Sequence, residues 1–215
     1  AIVQGPQTAE VVGEGEIDCD EYGRILVRFH WDLANAYSMR CRVSQNWAGA
    51  GWGGMVIPRI GMEVLVEFLE GDPDKPVVVG NVFNGKNDAP YPLPEHKTKA
   101  IFRSNTHKGT GFNEMTFEDE KGVENMFFHA QKDQTTRILN NRTARVDRHD
   151  VYSVGGSRSI EVAENQKHEI GGSFNLTVGG TGLGALGALA GVAGLASQTA
   201  GLLSQAGSVA GGGAS

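Results

Sequence analysis

The chain has 215 residues, a mass of 22.9 kDa, a formal net charge of −6 and a pI near 5.5. This acidic balance argues against nucleic acid or an anionic membrane as the main partner, because both require a concentrated positive field. With only Cys19 and Cys41 present, a disulfide framework is excluded; we expect two reduced, buried thiols, although a single bridge within the first domain is geometrically possible.

Residues 1–90 alternate apolar and polar side chains in about five short segments, which predicts β-strands separated by turns. The clearest segment places Ile25, Val27 and Phe29 on one face of an extended chain. Turns rich in glycine and proline, such as residues 71–74, separate the segments. This number and size of strands favour a small Greek-key barrel of the OB type.

Barrels of this type often bind oligonucleotides, and Trp31, Trp47 and Trp52 with nearby arginines could form a stacking groove. Acidic residues between Glu14 and Glu21 place as much negative charge in the same region. We therefore expect the tryptophans to be core or interface residues, and we expect no nucleic-acid partner.

Residues 91–135 are predicted to form a connecting segment and the start of the next domain. Glu118, Asp119 and Glu120 are expected at an exposed turn and not in a catalytic cleft. The chain has no Gly-x-Ser-x-Gly, His-x-x-x-His or Cys-x-x-Cys spacing. We expect neither an enzyme nor a cofactor.

Residues 136–180 repeat with a period of eight. Six β-branched residues mark the repeat: Ile138, Val146, Val154, Val162, Ile170 and Val178. The residues two positions before these share the same face of an extended chain and are mostly apolar, whereas the opposite face is polar. Gly-Gly follows three of the six positions, and we expect the chain to bend there with positive φ.

Eight residues at about 3.3 Å each make one side of a prism and not its circumference. If one chain formed triangular coils of three octads, six octads would give only two coils, fewer than the roughly three units that a solenoid needs. Three intertwined chains instead bring every apolar stripe to a threefold axis and leave no lateral edge. The repeat therefore predicts a triple-stranded β-helix that acts as a stiff rod.

His168 lies on the same face as this ladder, two positions before Ile170. A trimer would bring three imidazoles towards one axis, where they could hold a metal ion, an anion or water. The alternative that we favour is a solvated or packed histidine, so no metal site is predicted.

Residues 181–215 contain no charged side chain. Apolar residues spaced by three drift around a 3.6-residue helix and mark no single face: Leu183, Leu186, Leu189, Val192 and Leu195. The apolar run is shorter than the roughly 20 residues that span a bilayer. Two interpretations stay open, a disordered glycine-rich tail and a segment that docks on a partner.

Three runs in the front domain carry a family likeness, and shorter runs at residues 80–84, 111–119 and 128–133 extend it. The long runs are GRILVRFHWD at 23–32, RVSQNWAGAGWG at 42–53 and IPRIGMEVLVEFLEGDPD at 57–74. Together they resemble VgrG, the trimeric spike of bacterial type VI secretion, over about residues 9–180. Met62 stands where a glutamine would be expected.

The resemblance implies an OB domain like that of contractile-phage tail spikes, a connecting segment and a three-chain needle, none of which requires catalysis. It implies a homotrimer that meets an Hcp-type tube protein through an N-terminal platform expected upstream and absent here. A tip-capping PAAR-type protein and effector cargo are the other implied partners, and the tail is a candidate docking segment for them. Assembly in the bacterial cytoplasm is expected, followed by secretion to the extracellular space or target cell.

We therefore expect an all-β protein in which an OB-fold (Greek-key barrel) is followed by an intertwined trimeric β-helix. Its expected function is a rigid needle that punctures the target-cell membrane and carries effectors. Two alternatives stay open: a phage-type tail spike of another contractile machine, and an OB-fold ligand- or nucleic-acid-binding module with a β-solenoid stalk.

Overall fold

The computed structural model describes residues 2–34 and 37–179. Within them the strands are β1 (Gln7–Val12), β2 (Leu26–Phe29), β3 (Arg42–Val43), β4 (Glu63–Phe68), β5 (Pro76–Val82), β6 (Lys99–Asn105), β7 (Phe112–Glu118) and β8 (Asn125–His129), with one 3-10 turn at Leu69–Gly71. The chain divides into two compact units, Ala1–Thr143 and Ala144–Ser215. Across these described ranges, no helix has the length and apolarity to cross a membrane.

The first five strands form one sheet that closes on itself. Their order is β2-β1-β4-β5-β3, antiparallel except for the parallel pair of β3 and β5. An antiparallel bridge between Ile25 and Cys41 joins the two ends of this order, with N···O distances of 3.0 and 2.7 Å. The predicted OB-type barrel is confirmed, because this closure leaves the five-stranded sheet without a long free edge.

The barrel encloses the main hydrophobic core. Alternate strand positions point inward, as the period of two in a pleated strand requires. The core residues are Ala9, Val11, Ile25, Val27, Cys41, Val64, Val66, Phe68 and Val78. Ile25 and Val27 therefore lie where the alternation predicted them, and the neighbouring Phe29 packs against the core from a half-buried position.

Two expectations for the barrel are wrong in part. Both cysteines are free, as expected, but only Cys41 is buried, and Cys19 is exposed because it lies in the loop after β1. None of the three tryptophans is in the core, since Trp31, Trp47 and Trp52 are 66%, 65% and 58% exposed. An interface role for them stays a prediction.

The remaining strands, β6 to β8, form an antiparallel three-stranded sheet, which we call the base sheet. It lies within residues 91–135, where the sequence predicted a connecting segment and the start of the next domain but no separate sheet. Asp119 and Glu120 are exposed after β7, as expected, but the expectation is wrong for Glu118, which ends that strand and is half-buried because Thr98 and Lys99 contact it.

Candidate trimerisation surface

Residues 131–179, the octad segment, bend at a strict interval of eight. Bends fall at 131–132, 139–140, 147–148, 155–156, 163–164, 171–172 and 179, and each later one directly follows a ladder residue. The first bend follows Ala130, so the octad spacing begins one repeat earlier than the ladder of β-branched residues. The chain between bends is extended.

The expected role of glycine at these bends is wrong for most of them. Gly179 has a φ of +83°, but the pairs at 155–156 and 171–172 bend without positive φ. The bends at 147–148 and 163–164 contain no glycine at all. Residues other than glycine can therefore form the bend of the octad, and the backbone conformation at the bends does not require the glycine pairs.

The extended stretches pair with no strand among the described residues. In the described part beyond His129, no strand is formed and no backbone–backbone hydrogen bond is made. The ladder side chains stay half exposed, from 44% for Val154 to 56% for Val146, with Val178 at 84%. Exposed β-branched residues at regular intervals favour association, because burial against partner chains would remove their apolar surface from water. The backbone groups beside them are open to solvent and would need partners once that surface is buried.

The base sheet also presents an unpartnered apolar face. Phe102, Met115 and Phe128 lie directly opposite one another across the three strands. They are 62%, 38% and 59% exposed, and Met126 beside them is 59% exposed. Together these four residues form what we call the base-sheet apolar face. Phe128 and Ile138 are ten residues apart, an even number, so in an extended chain their side chains point to the same side. The base-sheet apolar face and the ladder therefore follow one alternation along the sequence.

The opposite face of the base sheet is closed by polar contacts around Glu114. This carboxylate is fully buried and accepts hydrogen bonds of 2.7 Å from Tyr91 Oη and Thr116 Oγ1. Arg103 Nη1 lies 3.6 Å from Oε2, an atom that has no hydrogen-bond partner among the described residues. Burial, followed by the hydrogen bond to Glu114, raises the pKa of Tyr91 to about 12.

A second contact fastens residues 91–98 to this polar face. Thr98 Oγ1 donates to Glu118 at 2.6 Å and lowers the pKa of that carboxyl, and Lys99 Nζ lies 3.7 Å from its other oxygen. The polar face is thus covered from within the chain, which leaves the apolar face as the free side of the sheet.

A small polar joint holds the barrel to the base sheet. Arg59 pairs with Glu16 at 2.5 Å and donates to the Asn105 carbonyl at 2.7 Å. Glu16 also accepts the Lys108 N–H at 2.8 Å. This backbone donor, helped by Arg59 and His107, holds the pKa of Glu16 below its usual range. The turn between β6 and β7 is therefore tied to the barrel by charge-assisted bonds.

The other sequence-predicted sites lie as follows. His168 is exposed in the single chain, and its Nε2 is 2.6 Å from the Gln166 side-chain amide. No group of three or more His, Cys, Asp or Glu side chains with the geometry of a metal site occurs in residues 2–34 and 37–179. The proposed tail residues lie outside the described residues: Leu183, Leu186, Leu189, Val192 and Leu195.

The sequence analysis missed the base-sheet apolar face. Two signals pointed to it, the alternations Ala100–Phe102 and Met126–Phe128 in stretches of strand-like composition. Each stretch is too short to show whether its apolar face packs within the chain or is exposed for contact with a partner.

Comparison with known families gives matches to the barrel and to the region that contains the base sheet and the octad segment. Residues 8–83 match the type VI secretion system/phage-baseplate injector OB domain, and residues 100–188 match the bacteriophage T4 gp5 C-terminal trimerisation domain.

Several similar proteins have spike names. The chain is 47% identical over 156 residues to the type VI secretion system spike protein VgrG3 of Vibrio cholerae, covering 70% of this chain and 15% of that protein. It is 41% identical over 211 residues to the spike protein VgrG1a of Pseudomonas aeruginosa, covering 83% and 33%. It is 45% identical over 183 residues to the actin cross-linking toxin VgrG1 of Vibrio cholerae, covering 82% and 17%. The chain thus spans a third or less of the length of these relatives.

Proposed function

Because this chain belongs to the VgrG family of type VI secretion spike proteins over its OB and trimerisation regions, we propose that it forms the collar and needle of a homotrimeric spike that punctures the target-cell membrane. The observation that carries the proposal is the octad segment. It bends every eight residues, forms no backbone–backbone hydrogen bond among the described residues and leaves a β-branched ladder residue exposed before each bend from 139 to 179. Three such chains wound about one axis satisfy all three features together.

In this arrangement the axial ladder consists of the six β-branched residues of the repeat: Ile138, Val146, Val154, Val162, Ile170 and Val178. Each layer buries three β-branched side chains, which pack well on a pleated surface. The backbone groups of each extended stretch find partners in neighbouring chains, so bending the rod requires many hydrogen bonds to break together. Stiffness comes from this closed pairing, and the force is supplied by the machine that drives the spike.

The proposed role is mechanical and not enzymatic. The relative named as an actin cross-linking toxin shares only 17% of its length with this chain, so its name describes a protein that is mostly outside the matched region. We propose that the partners are an Hcp-type tube protein, a tip-capping PAAR-type protein and effector cargo. We also propose assembly in the cytoplasm of the bacterium before secretion.

Oligomeric mass tests the proposal directly. Light scattering on the purified chain should give three times 22.9 kDa, about 69 kDa, at all concentrations down to the detection limit. X-ray scattering should show an elongated particle. A mass of one chain would contradict the proposal, and salt-sensitive binding of such a monomer to single-stranded nucleic acid would favour an OB-fold binder instead.

Two finer proposals concern the needle's axis and its end. Three copies of His168 meeting at the axis would hold a water or an ion, and metal analysis of the purified trimer tests this idea. Residues 181–215 would dock the tip-capping protein or cargo through their apolar side chains. Unchanged tip-protein co-purification after deletion of residues 181–215 would contradict the docking role.

A further inference from the structure

The first unit contains a wide groove between the OB barrel and the base sheet, which we call the side groove. It encloses about 900 Å³. Four of its large apolar lining residues are exposed: Met55, Val56 and Phe83 from the barrel region and Phe102 from β6. They are 81%, 53%, 67% and 62% exposed. Exposed apolar groups gathered in one concave surface mark a binding site, whereas single exposed apolar residues are common on any protein.

Three of the four charged groups that line the side groove are already paired within the chain, and the fourth, Asp88, is exposed. Arg59 is held by Glu16 and the Asn105 carbonyl. Glu63 accepts a hydrogen bond of 2.5 Å from Asn84, and Arg103 faces the buried carboxylate described above. A polar small molecule would have to compete with these contacts, so burial of apolar surface is the main attraction that the groove offers.

Phe102 connects the side groove to the trimerisation surface, because it lines the groove and also belongs to the base-sheet apolar face. Residues 102–105, which form one wall, lie inside the match to the trimerisation domain at 100–188. We propose that the side groove is filled by a neighbouring copy of this chain in the homotrimer. The inference rests on the proposed function, since it requires the trimer.

Threefold symmetry gives the two surfaces different partners. Residues at the axis meet their own copies, whereas a groove away from the axis must receive a different part of the next chain around the ring. Filling the groove thus adds a head-to-tail contact between OB domains to the contacts of the needle. Each barrel is braced against the next copy as well as against its own base sheet.

Thiol labelling of the full-length chain tests this inference. In a Cys19→Ser background, which removes the exposed native thiol, single variants Met55→Cys and Phe83→Cys report on the side groove. Leu33→Cys is the matched control, because Leu33 is an apolar barrel residue that is 92% exposed and does not line the groove. We expect labelling at positions 55 and 83 to be at least about tenfold slower than at position 33, since it then requires local opening of the interface.

The possible outcomes separate this inference from the proposed function. Equal labelling rates at all three positions in a protein of trimeric mass would overturn the filled groove and leave the spike proposal standing. A monomeric mass would overturn both. A photo-crosslinking residue at position 83 identifies the occupant, because a neighbouring copy gives crosslinked dimers and trimers on a denaturing gel. Crosslinks found only within one chain would overturn the inference even if labelling is slow.

Discussion

Replacing Val154 by aspartate tests whether the ladder faces the axis of a trimer. Val154 is 44% exposed in the single chain. Burying this exposed surface in a trimer should stabilise it by roughly 1 kcal/mol per chain, or about 3 kcal/mol for a layer of three. Three buried carboxylates add several kcal/mol each. Val154→Asp should therefore abolish the trimer or lower its melting temperature by more than about 10 °C.

Ser153 provides the matched control. Ser153→Asp introduces the same carboxylate one residue earlier, on the opposite face of the extended chain. A surface substitution of this kind should change the free energy of unfolding by less than about 0.5 kcal/mol. The two variants place the same new charge on opposite faces, and Val154→Asp also removes an apolar side chain.

The pH dependence gives a second signature. Burial raises the pKa of the carboxyl introduced at position 154 above the unfolded value of about 3.9. The carboxyl is then neutral at low pH, so the destabilisation should be smallest below about pH 4 and should grow as the pH rises. Ser153→Asp should show no such growth relative to the wild-type chain.

Light scattering and thermal unfolding followed by circular dichroism measure both effects. Equal masses and melting temperatures for the two variants would refute the reasoning, because they would show that positions 153 and 154 are equally solvated. Destabilisation by Ser153→Asp alone would reverse the proposed orientation of the ladder.

Two further predictions concern the first unit. Tyr91→Phe removes a donor from the buried Glu114 and should lower the free energy of unfolding by about 1–3 kcal/mol in urea titrations, whereas Tyr22→Phe at an exposed site should have no effect. Glu16→Gln weakens the joint to the base sheet at Lys108. Because the folded pKa of Glu16 lies below its unfolded value, its stabilising effect is present above about pH 4.5 and is lost as the pH falls through the folded pKa. The melting temperature of Glu16→Gln should therefore fall less than that of wild type between about pH 5 and pH 3. Melting temperatures of the two proteins that fall in parallel with pH would contradict this assignment. An equal loss of unfolding free energy in Tyr91→Phe and Tyr22→Phe would contradict the prediction for Tyr91.

Local patterns predicted the elements that depend on neighbouring residues. Alternation placed Ile25 and Val27 inside the barrel, and the octad spacing predicted the regular bends, since both follow from the period of two in an extended chain. The same reasoning failed where the outcome depends on distant residues. Cys19 and Cys41 each lie between two charged residues, yet only Cys41 is buried, because its backbone pairs with Ile25 to close the barrel.

The sequence by itself determined the all-β class of the protein, the barrel of its front part and the eight-residue spacing of its bends. These depend on composition, on motifs and on side-chain alternation, all of which are local properties. Only the tertiary structure decided that Phe102, Met115 and Phe128 lie in one exposed row and that Phe102 also lines a groove with Phe83. Such surfaces are made by strand register and by the contact of barrel and sheet, which join residues far apart in the chain, so alternation within one short strand does not reveal them.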